Sequence, residues 1–302
     1  MRAPSSTSTW EEWRAHFEAQ AARPCPGFPQ SLDISPALRP PLVSSLISFQ
    51  AGETGEGRIA RQIWATELPG IDDDYRAALG LFVAEEGRHA RILGSALRAL
   101  GSAPASGTAT QGVFTWARRL AGVRLKLTAL LAAEVVGIEA YALLAELLPG
   151  GPLRLALLEL ADDERHHLRF HVDFFRTQMG SLASGKIPVA AWRSTWWAGI
   201  GAGLPLLMAE HGRNYGLLGA SPVQLASAVV ARAVEVDRAV TGQWSRAPAP
   251  WSASPQSRYV SRAPTFPSHS SPSGPGATSH RSKPTTRRPE VSTVSSKVTA
   301  CA

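Results

Sequence analysis

Two Glu-x-x-His motifs are the residues in this sequence best suited to chemistry. The first pairs Glu86 with His89, and the second pairs Glu164 with His167. Positions three apart lie on the same face of a helix, so each motif presents a carboxylate and an imidazole side by side. The chain of 302 residues has only 8 histidines, which makes two such pairs unusual. Carboxylates and imidazoles together are typical ligands of a transition metal.

Both motifs interrupt a stripe of apolar residues that would otherwise face a helical core. Leucine and phenylalanine residues precede and follow each motif at helical spacing. In two further segments a carboxylate interrupts the apolar stripe near its middle, Glu53 in one and Glu134 in the other. The sequence thus predicts four carboxylates and two imidazoles inside an apolar core.

Four ionised carboxylates in an apolar interior are too costly to be left without compensation. A buried charge needs a partner charge or a metal ion, and two divalent cations would neutralise four carboxylates. One Glu from each of two helices plus one Glu-x-x-His from each of two others is the di-iron or di-manganese carboxylate arrangement. This mixture of oxygen and imidazole ligands favours iron or manganese over zinc or calcium. The predicted metal ligands are Glu53, Glu86, His89, Glu134, Glu164 and His167.

Three residues near the predicted ligands leave alternatives open. Glu56 competes with Glu53 for the ligand position on the first segment, or else takes a bridging or supporting role. His171 lies on the same face as the second motif and is either an additional ligand or a hydrogen-bonded core histidine. Tyr141 is a candidate catalytic phenol, although a core tyrosine with one hydrogen bond is the simpler interpretation.

The other charged residues nearby are expected to lie off the ligand face. Glu139 is predicted to be a solvated charge, and His166 is predicted to be exposed. Glu85 and Asp163 each lie one step off an apolar stripe. The competing interpretation of the whole set is a metal-free bundle whose carboxylates form salt bridges to Arg58, Arg88 or Arg165.

Four long segments rich in Ala, Leu, Glu and Arg must position these residues. Such segments are good helix formers, and turns rich in Pro and Gly separate them, so the predicted fold class is all-α. Short turns make two helical hairpins, and a longer connection through Gly101–Gly112 joins them. One long crossover between two hairpins is typical of a ferritin-like four-helix bundle. The four predicted helices cover residues 41–68, 75–100, 112–148 and 152–178.

The rest of the chain adds shorter helices and a tail. The last 58 residues contain no Leu, Ile or Met but 14 Ser and 9 Pro, so the tail is predicted to be disordered. The shorter helices are predicted at 10–21, 188–207 and 221–240. The predicted units are an N-terminal short helix and linker (1–40), the di-metal bundle (41–180), accessory helices packing on the bundle (181–243) and the tail (244–302).

The charge distribution argues against a nucleic-acid partner. The chain has 31 Lys and Arg against 24 Asp and Glu, which gives a formal net charge of +7. Residues 245–302 carry this whole excess, so the first 244 residues are neutral overall. Because the basic side chains belong to the tail, no nucleic acid is expected to bind the bundle.

The sequence predicts a cytoplasmic protein without a membrane span. Its first residues lack the apolar core of a secretory signal. The longest uncharged stretch of the apolar part, Ser194–Ala209, contains three Gly and one Pro and is shorter than the roughly 20 residues that a spanning helix needs. Cys25 and Cys301 lie outside any Cys-x-x-Cys pair, so neither a disulfide framework nor a zinc ribbon is expected.

Three stretches around the predicted ligands carry a resemblance to a known family. They are FQAGETGEGR at 49–58, FVAEEGRHAR at 82–91 and DERHHLRF at 163–170. Over residues 40–178 the chain resembles bacterial ferritin-like domain proteins of the rubrerythrin and di-iron oxygenase superfamily. The resemblance implies a four-helix bundle with a non-haem di-iron centre held by the six predicted ligands. The rubredoxin-type cysteine pairs of rubrerythrins are missing, so electrons would come from a separate protein or reductant.

The predicted function is an oxidoreductase that activates O2 or peroxide at two buried iron or manganese ions. A small apolar substrate would enter a slot lined by residues such as Phe82 and Ile138. The alternative is a ferroxidase or iron-handling protein without an organic substrate. The additional helices and the tail suit a symmetric storage cage poorly, whereas a homodimer is compatible with both functions.

Overall fold

The described part of the chain is entirely helical, as the sequence predicts. A computed structural model describes residues 8–54, 57–104 and 122–242, and within these ranges there is no β-strand. The predicted tail at 244–302 lies outside the described residues. The helices are α1 (Trp10–Ala21), α2 (Arg39–Glu53), α3 (Gly57–Trp64), α4 (Asp73–Ala99), α5 (Val123–Leu147), α6 (Pro152–Gln178), α7 (Val189–Leu217) and α8 (Pro222–Val240).

Two helical hairpins form the centre of the fold. In the first, α2 and α3 pack against α4, and in the second α5 packs against α6. The side chain of Gln178, at the end of α6, donates a hydrogen bond to the carbonyl of Pro69 (2.8 Å) and accepts one from Arg124 (2.9 Å). The start of α5 therefore lies at the end of the bundle where α4 begins. Because α4 ends at the opposite end, the connection between residues 104 and 122 joins opposite ends of the bundle, which is the predicted crossover.

The first predicted helix is divided in two. Residues 41–68 were expected to form one helix, but α2 ends at Glu53 and α3 begins at Gly57. The sequence between Gly52 and Gly57 contains three glycines, and each glycine in a helix interior costs about 1 kcal/mol relative to alanine. The hydroxyl of Thr54 also donates a hydrogen bond to the carbonyl of Ala51 (2.8 Å). The glycine cluster thus explains the break beside a predicted ligand.

The other helix bounds differ less from the expected ones. The predicted helix at 112–148 is described only from α5 onward, since residues 105–121 lie outside the described ranges. Helix α7 continues to Leu217, ten residues beyond its predicted end. Helix α1 begins with a capping box, in which the side chains of Thr9 and Glu12 each accept a hydrogen bond from the backbone N–H of the other residue.

The shorter helices enclose the two hairpins. Helix α1 packs on α4, α7 packs on α2 and α8, and α8 packs on α5 and α6. Trp192 and Trp196 of α7 are buried and stacked on each other (5.5 Å between ring centroids), and Trp192 also contacts Phe175 of α6 (4.7 Å). These tryptophans form part of the surface with which α7 packs on the bundle.

Helix α5 is long and apolar enough to cross a membrane by length and composition. Its most apolar 18-residue window has a mean hydropathy of 1.8, and 72% of that window is buried inside the protein. The helix packs against α6 and α8 and carries the buried Glu134. These are the properties of a core helix, which passes the same test, so the expectation of no membrane span stays a prediction.

Glu139 does not lie in solvent as predicted. It is buried on α5 and forms an ion pair with Arg232 of α8, whose Nε and Nη2 atoms lie 2.9 and 2.8 Å from one Glu139 oxygen. The prediction was wrong because it considered the four-helix bundle alone. Helix α8 covers this face of α5 and supplies the partner cation.

We expect Arg232→Met to destabilise the protein by about 3 kcal/mol, because it removes the guanidinium that forms an ion pair with the buried Glu139 carboxylate. Urea unfolding followed by circular dichroism measures this loss. Arg238→Met, at an exposed position of the same helix, should change the free energy of unfolding by less than about 0.5 kcal/mol. The double variant Arg232→Met/Glu139→Met should recover most of the loss. Equal destabilisation by Arg232→Met and by the control Arg238→Met would contradict this account.

Candidate metal centre

The two Glu-x-x-His motifs meet inside the bundle. Helices α4 and α6 are antiparallel, so Glu86 and His89 lie opposite His167 and Glu164. One ligand atom from each of the four side chains lies within 4.8 Å of all the others, and all four residues are buried. This buried group could hold a metal ion.

The donor atoms of this group point toward a common centre. Nδ1 of His167 lies 2.8 Å from a Glu86 oxygen and 3.3 Å from a Glu164 oxygen, and Nδ1 of His89 lies 3.2 Å from the other Glu164 oxygen. Two of these atoms, Oε1 of Glu86 and Nδ1 of His89, are buried without a hydrogen-bond partner. Buried polar atoms are rarely left unpaired. A cation bound here, with the proton of His89 released, would satisfy both atoms together.

The two remaining predicted ligands lie at the edge of this group. One oxygen of Glu134 is 3.6 Å from Nδ1 of His167. Glu53, the last residue of α2, accepts a short hydrogen bond from the Tyr141 hydroxyl and lies close enough to Glu86 to form a hydrogen bond with it. The structure thus brings all six predicted ligands together, while metal binding by them stays a prediction.

Protons balance the charge of this cluster where no cation is present. Burial and the neighbouring Glu86 raise the pKa of Glu53 well above its usual range, and burial together with Glu164 does the same for Glu134. Burial also acts to raise the pKa of Glu164, but hydrogen bonds with Glu134 and the two histidines outweigh it and hold that pKa well below its usual range. The ionised Glu164 therefore lies beside Glu53 and Glu134, whose raised pKa values favour the protonated form.

The two imidazoles are part of the same balance. Burial lowers the pKa of His89, but the close carboxylates of Asp163 and Glu164 outweigh burial and raise this pKa to about 10. The pKa of His167 is raised too, because carboxylates around it, Glu86 first among them, outweigh the effect of burial. Both side chains are therefore positively charged imidazolium groups at neutral pH when no metal ion is bound.

Each histidine is held from behind by an acidic residue of the opposite helix. Nε2 of His89 on α4 lies 3.2 Å from Asp163 on α6, and Nε2 of His167 on α6 lies 3.2 Å from Glu85 on α4. A carboxylate on the far ring nitrogen fixes the orientation of a metal-binding imidazole and makes it a stronger donor. Glu85 and Asp163 were predicted only to lie off the apolar stripes. Each directly precedes a predicted ligand, which is the sequence signal for this role.

A single arginine joins these two outer carboxylates. The Nη2 atom of Arg23, in the segment after α1, lies 2.6 Å from Glu85 and 2.7 Å from Asp163. Burial alone would raise the pKa of Asp163, but its hydrogen bonds with His89 and Arg23 lower this pKa to about 2. The N-terminal segment thus completes a chain of contacts that runs from its guanidinium through both acids to both histidines.

The interpretation as a salt-bridged, metal-free bundle fits the described residues poorly. Arg88 pairs with Asp163 and Glu159, and Arg165 pairs with Asp162. Among the described side chains, no arginine or lysine forms an ion pair with any of the four predicted ligand carboxylates. The side chain of Arg58 is outside the described set.

The residues with open alternatives lie as follows. Nε2 of His171 is 3.7 Å from a Glu134 oxygen, neither of its ring nitrogens has a hydrogen-bond partner, and burial lowers its pKa to about 3. A neutral imidazole at this position suits the additional-ligand role better than that of a hydrogen-bonded core histidine. Tyr141 makes the single hydrogen bond expected of a core tyrosine, here to Glu53. Glu56 lies outside the described residues.

His166 is not exposed as predicted. It is half-buried, and its ring centroid lies 4.7 Å from that of His16 on α1. The prediction did not allow for α1, which covers this side of α6. The helix that shields His166 also places Phe17 against His167 (6.0 Å between ring centroids).

A cavity of about 530 Å³ opens onto the carboxylates. Its wall includes Glu53, Glu86, Glu134, Glu164 and Tyr141, and the rest of its lining comes mainly from apolar residues of α2, α5 and α7. The histidines of the two motifs do not line it. The carboxylate face of the centre is therefore accessible from the cavity, and the imidazoles lie behind it.

Phe82 and Ile138, the residues predicted to line a substrate slot, do not line this cavity. Phe82 packs its ring against His167 and His171 (4.7 and 5.0 Å between centroids), on the side that α1 covers, and Ile138 is buried without lining the cavity. The sequence pattern identified both residues as apolar neighbours of the ligands. It could not reveal that α7 forms the opposite wall.

Comparison of the chain with models of known protein families and with curated proteins gives no match. The resemblance to ferritin-like proteins therefore stays a prediction, and the arrangement of the side chains carries the functional argument.

We expect Arg23→Ala to weaken binding of Mn(II) about tenfold, since changes to groups that orient ligands cost roughly 10–100-fold in affinity. Isothermal titration calorimetry measures this affinity. The matched control is Arg14→Ala, which removes an arginine that pairs with Glu18 and Asp74 away from the histidines. Equal affinities in the two variants would show that Arg23 does not act on the centre.

We also expect metal binding to release protons. The ligands must be deprotonated to bind, and the raised pKa values of His89 and His167 mean that both imidazoles hold a proton at pH 7. The affinity for Mn(II) should therefore rise between pH 6 and pH 8. Calorimetry in buffers of different ionisation enthalpy counts the released protons, and binding without proton release would contradict the charge balance described above.

Proposed function

We propose that the protein is a non-haem di-metal oxidoreductase that activates O2 or peroxide with two iron or manganese ions. The observation that carries the proposal is the convergence of Glu86, His89, Glu164 and His167 around one point, with donor atoms left unpaired. Glu53 and Glu134 beside them raise the number of carboxylates to four. Two divalent ions would offset that charge without help from lysine or arginine.

The six predicted ligands would hold the ions, with His171 close enough to Glu134 to join them. Bound iron or manganese would supply electrons to O2 or peroxide and stabilise the negative charge that develops on it. The chain offers no Cys-x-x-Cys pair for a second redox centre. A separate donor would therefore restore the electrons.

The residues of the chain divide into two sides with different tasks. On one side, Asp163 and Glu85 hold the imidazoles in place through Nε2. On the cavity side, Tyr141 holds a proton at its hydroxyl and donates it in a hydrogen bond to Glu53. Burial raises the pKa of Tyr141 well above its ordinary value, so this phenol stays protonated at neutral pH. Reactants would approach through the cavity and meet the carboxylates first.

The cavity favours an oxygen-activating enzyme over an iron-handling protein. A ferroxidase that acts only on iron needs a path for a small hydrated cation, and polar side chains would be expected to line it. The cavity here is mostly apolar and has the volume of a pocket for an organic molecule. An organic substrate explains such a lining, whereas iron storage does not.

We expect Glu164→Gln to lower the affinity for Fe(II) at least 100-fold and to abolish the absorption band that forms when O2 reaches the Fe(II)-loaded protein. The measurement combines metal analysis with optical spectra after anaerobic loading. Asp162→Asn is the matched control, because it removes an exposed carboxylate two residues away on the same helix. Its metal content and its band should equal those of the unchanged protein.

Two outcomes would contradict the proposal. Full binding of two ions by Glu164→Gln would show that the ligand assignment is wrong. Absence of bound iron and manganese in the folded, unchanged protein would show that the function itself is wrong.

A further inference from the structure

The cavity lies between α5 and α7, where small side chains on both helices leave the space between them unfilled. The α5 wall has alanines and a glycine facing α7, and the α7 wall has glycines and an alanine facing α5. A Cβ atom added at Gly199 or Gly203 would meet nothing within 4 Å. The small residues of the two walls are Ala129, Ala132, Ala133, Gly137, Gly199, Ala202 and Gly203.

The cavity is long in the direction of these helices. The Tyr215 hydroxyl of α7 donates to the carbonyl of Ala140 on α5 (3.0 Å), and Trp192 lies near the end of the bundle where α5 begins. The two helices therefore run in the same direction. Lining residues extend over sixteen positions on each, from Leu125 to Tyr141 and from Thr195 to His211, which corresponds to about 24 Å at 1.5 Å per residue.

The carboxylates lie near the middle of this length and not at its end. Glu134 is nine positions after Leu125 and seven before Tyr141 on α5, so the cavity continues for about 10 Å or more on either side of it. A molecule that fills the cavity would therefore pass the centre with an internal part of its length. Leu125 lies where the lining begins on α5 and is 51% exposed, so the cavity has an apolar entrance at that end.

The charges of the wall disfavour an anionic occupant, and its mainly apolar lining favours an apolar one. The described lining residues include five glutamates, the four of the centre and Glu210, and no lysine or arginine. An anionic group inside the cavity would have no cationic side chain to pair with, and burial of an unpaired charge is costly. The aromatic contact of His211 with Phe49 (4.5 Å between parallel rings) closes the far end with a flat apolar wall.

We propose that this cavity binds a long, uncharged aliphatic chain, which lies along α5 and α7 with an internal carbon facing Glu134 and Glu164. The shape, the apolar lining and the absence of cations from the described wall carry this inference. This inference deepens the proposed function by naming the class of substrate. Reaction of the bound chain rests on the proposed function, whereas binding of the chain does not.

The test is displacement of the neutral fluorescent probe N-phenyl-1-naphthylamine by straight-chain alcohols from hexanol to hexadecanol. The affinity should rise about fourfold for each added methylene group until the chain fills the cavity. The carboxylic acid of equal length should bind at least tenfold more weakly than the alcohol. Naphthalene represents a compact ring ligand and should bind more weakly than the longer alcohols.

Two glycine variants locate the binding site. Gly203→Leu places a large side chain into the cavity and should weaken binding of dodecanol at least tenfold. Gly201→Leu is the matched control, since Gly201 is an exposed residue of the same helix that does not line the cavity. Both changes improve helix propensity equally, so a difference between them reports the cavity.

The inference is overturned if affinity does not depend on chain length, if the acid or naphthalene binds more tightly than the alcohols, or if both glycine variants bind alike. The measurements are made on the full chain before and after loading with Mn(II). Chain binding without any metal binding would refute the proposed function and leave this inference intact. Metal binding without chain binding would do the reverse.

Discussion

The cost of burying four carboxylates in an apolar bundle is the constraint on which the rest of this structure depends. Each would lose several kcal/mol of hydration if it were ionised and unpaired. In the metal-free protein, protons on Glu53, Glu134 and the two histidines reduce the net negative charge of the cluster and so lower this cost. Four buried residues of the cluster, Glu86, His89, Glu164 and His167, could hold a metal ion, and a bound cation would take over this role from the protons.

The surroundings of the cluster are asymmetric, with charged and polar groups on one side and an apolar cavity on the other. Behind the histidines lie Glu85, Asp163 and Arg23, which are linked by hydrogen bonds of 2.6–3.2 Å. In front of the carboxylates lies the cavity, with few polar groups. The polar layer fixes the orientation of the two histidines, and the apolar cavity leaves the carboxylates accessible.

The central helices and the candidate ligands could be predicted from the sequence because they follow from local patterns. Apolar residues at helical spacing predicted α4 and α6, and the interruptions by Glu86 and Glu164 predicted which face would be inside. What could not be predicted depends on elements far apart in the chain. Arg23 reaches the centre from the N-terminal segment, and the partner of Glu139 lies on α8. Periodicity within one helix contains no information about which helix will cover its outer face.

The break between α2 and α3 has a consequence for Glu53. The other three carboxylates of the cluster lie within long helices, whereas Glu53 is the final residue of α2, followed by a glycine-rich connection. The last turn of a helix carries a partial negative charge, which disfavours an ionised carboxylate there. A proton or a cation on Glu53 is therefore favoured. A terminal residue can also shift while the remainder of its helix stays fixed. Glu53 is therefore the carboxylate of the cluster that can change its position with the least disturbance of its own helix.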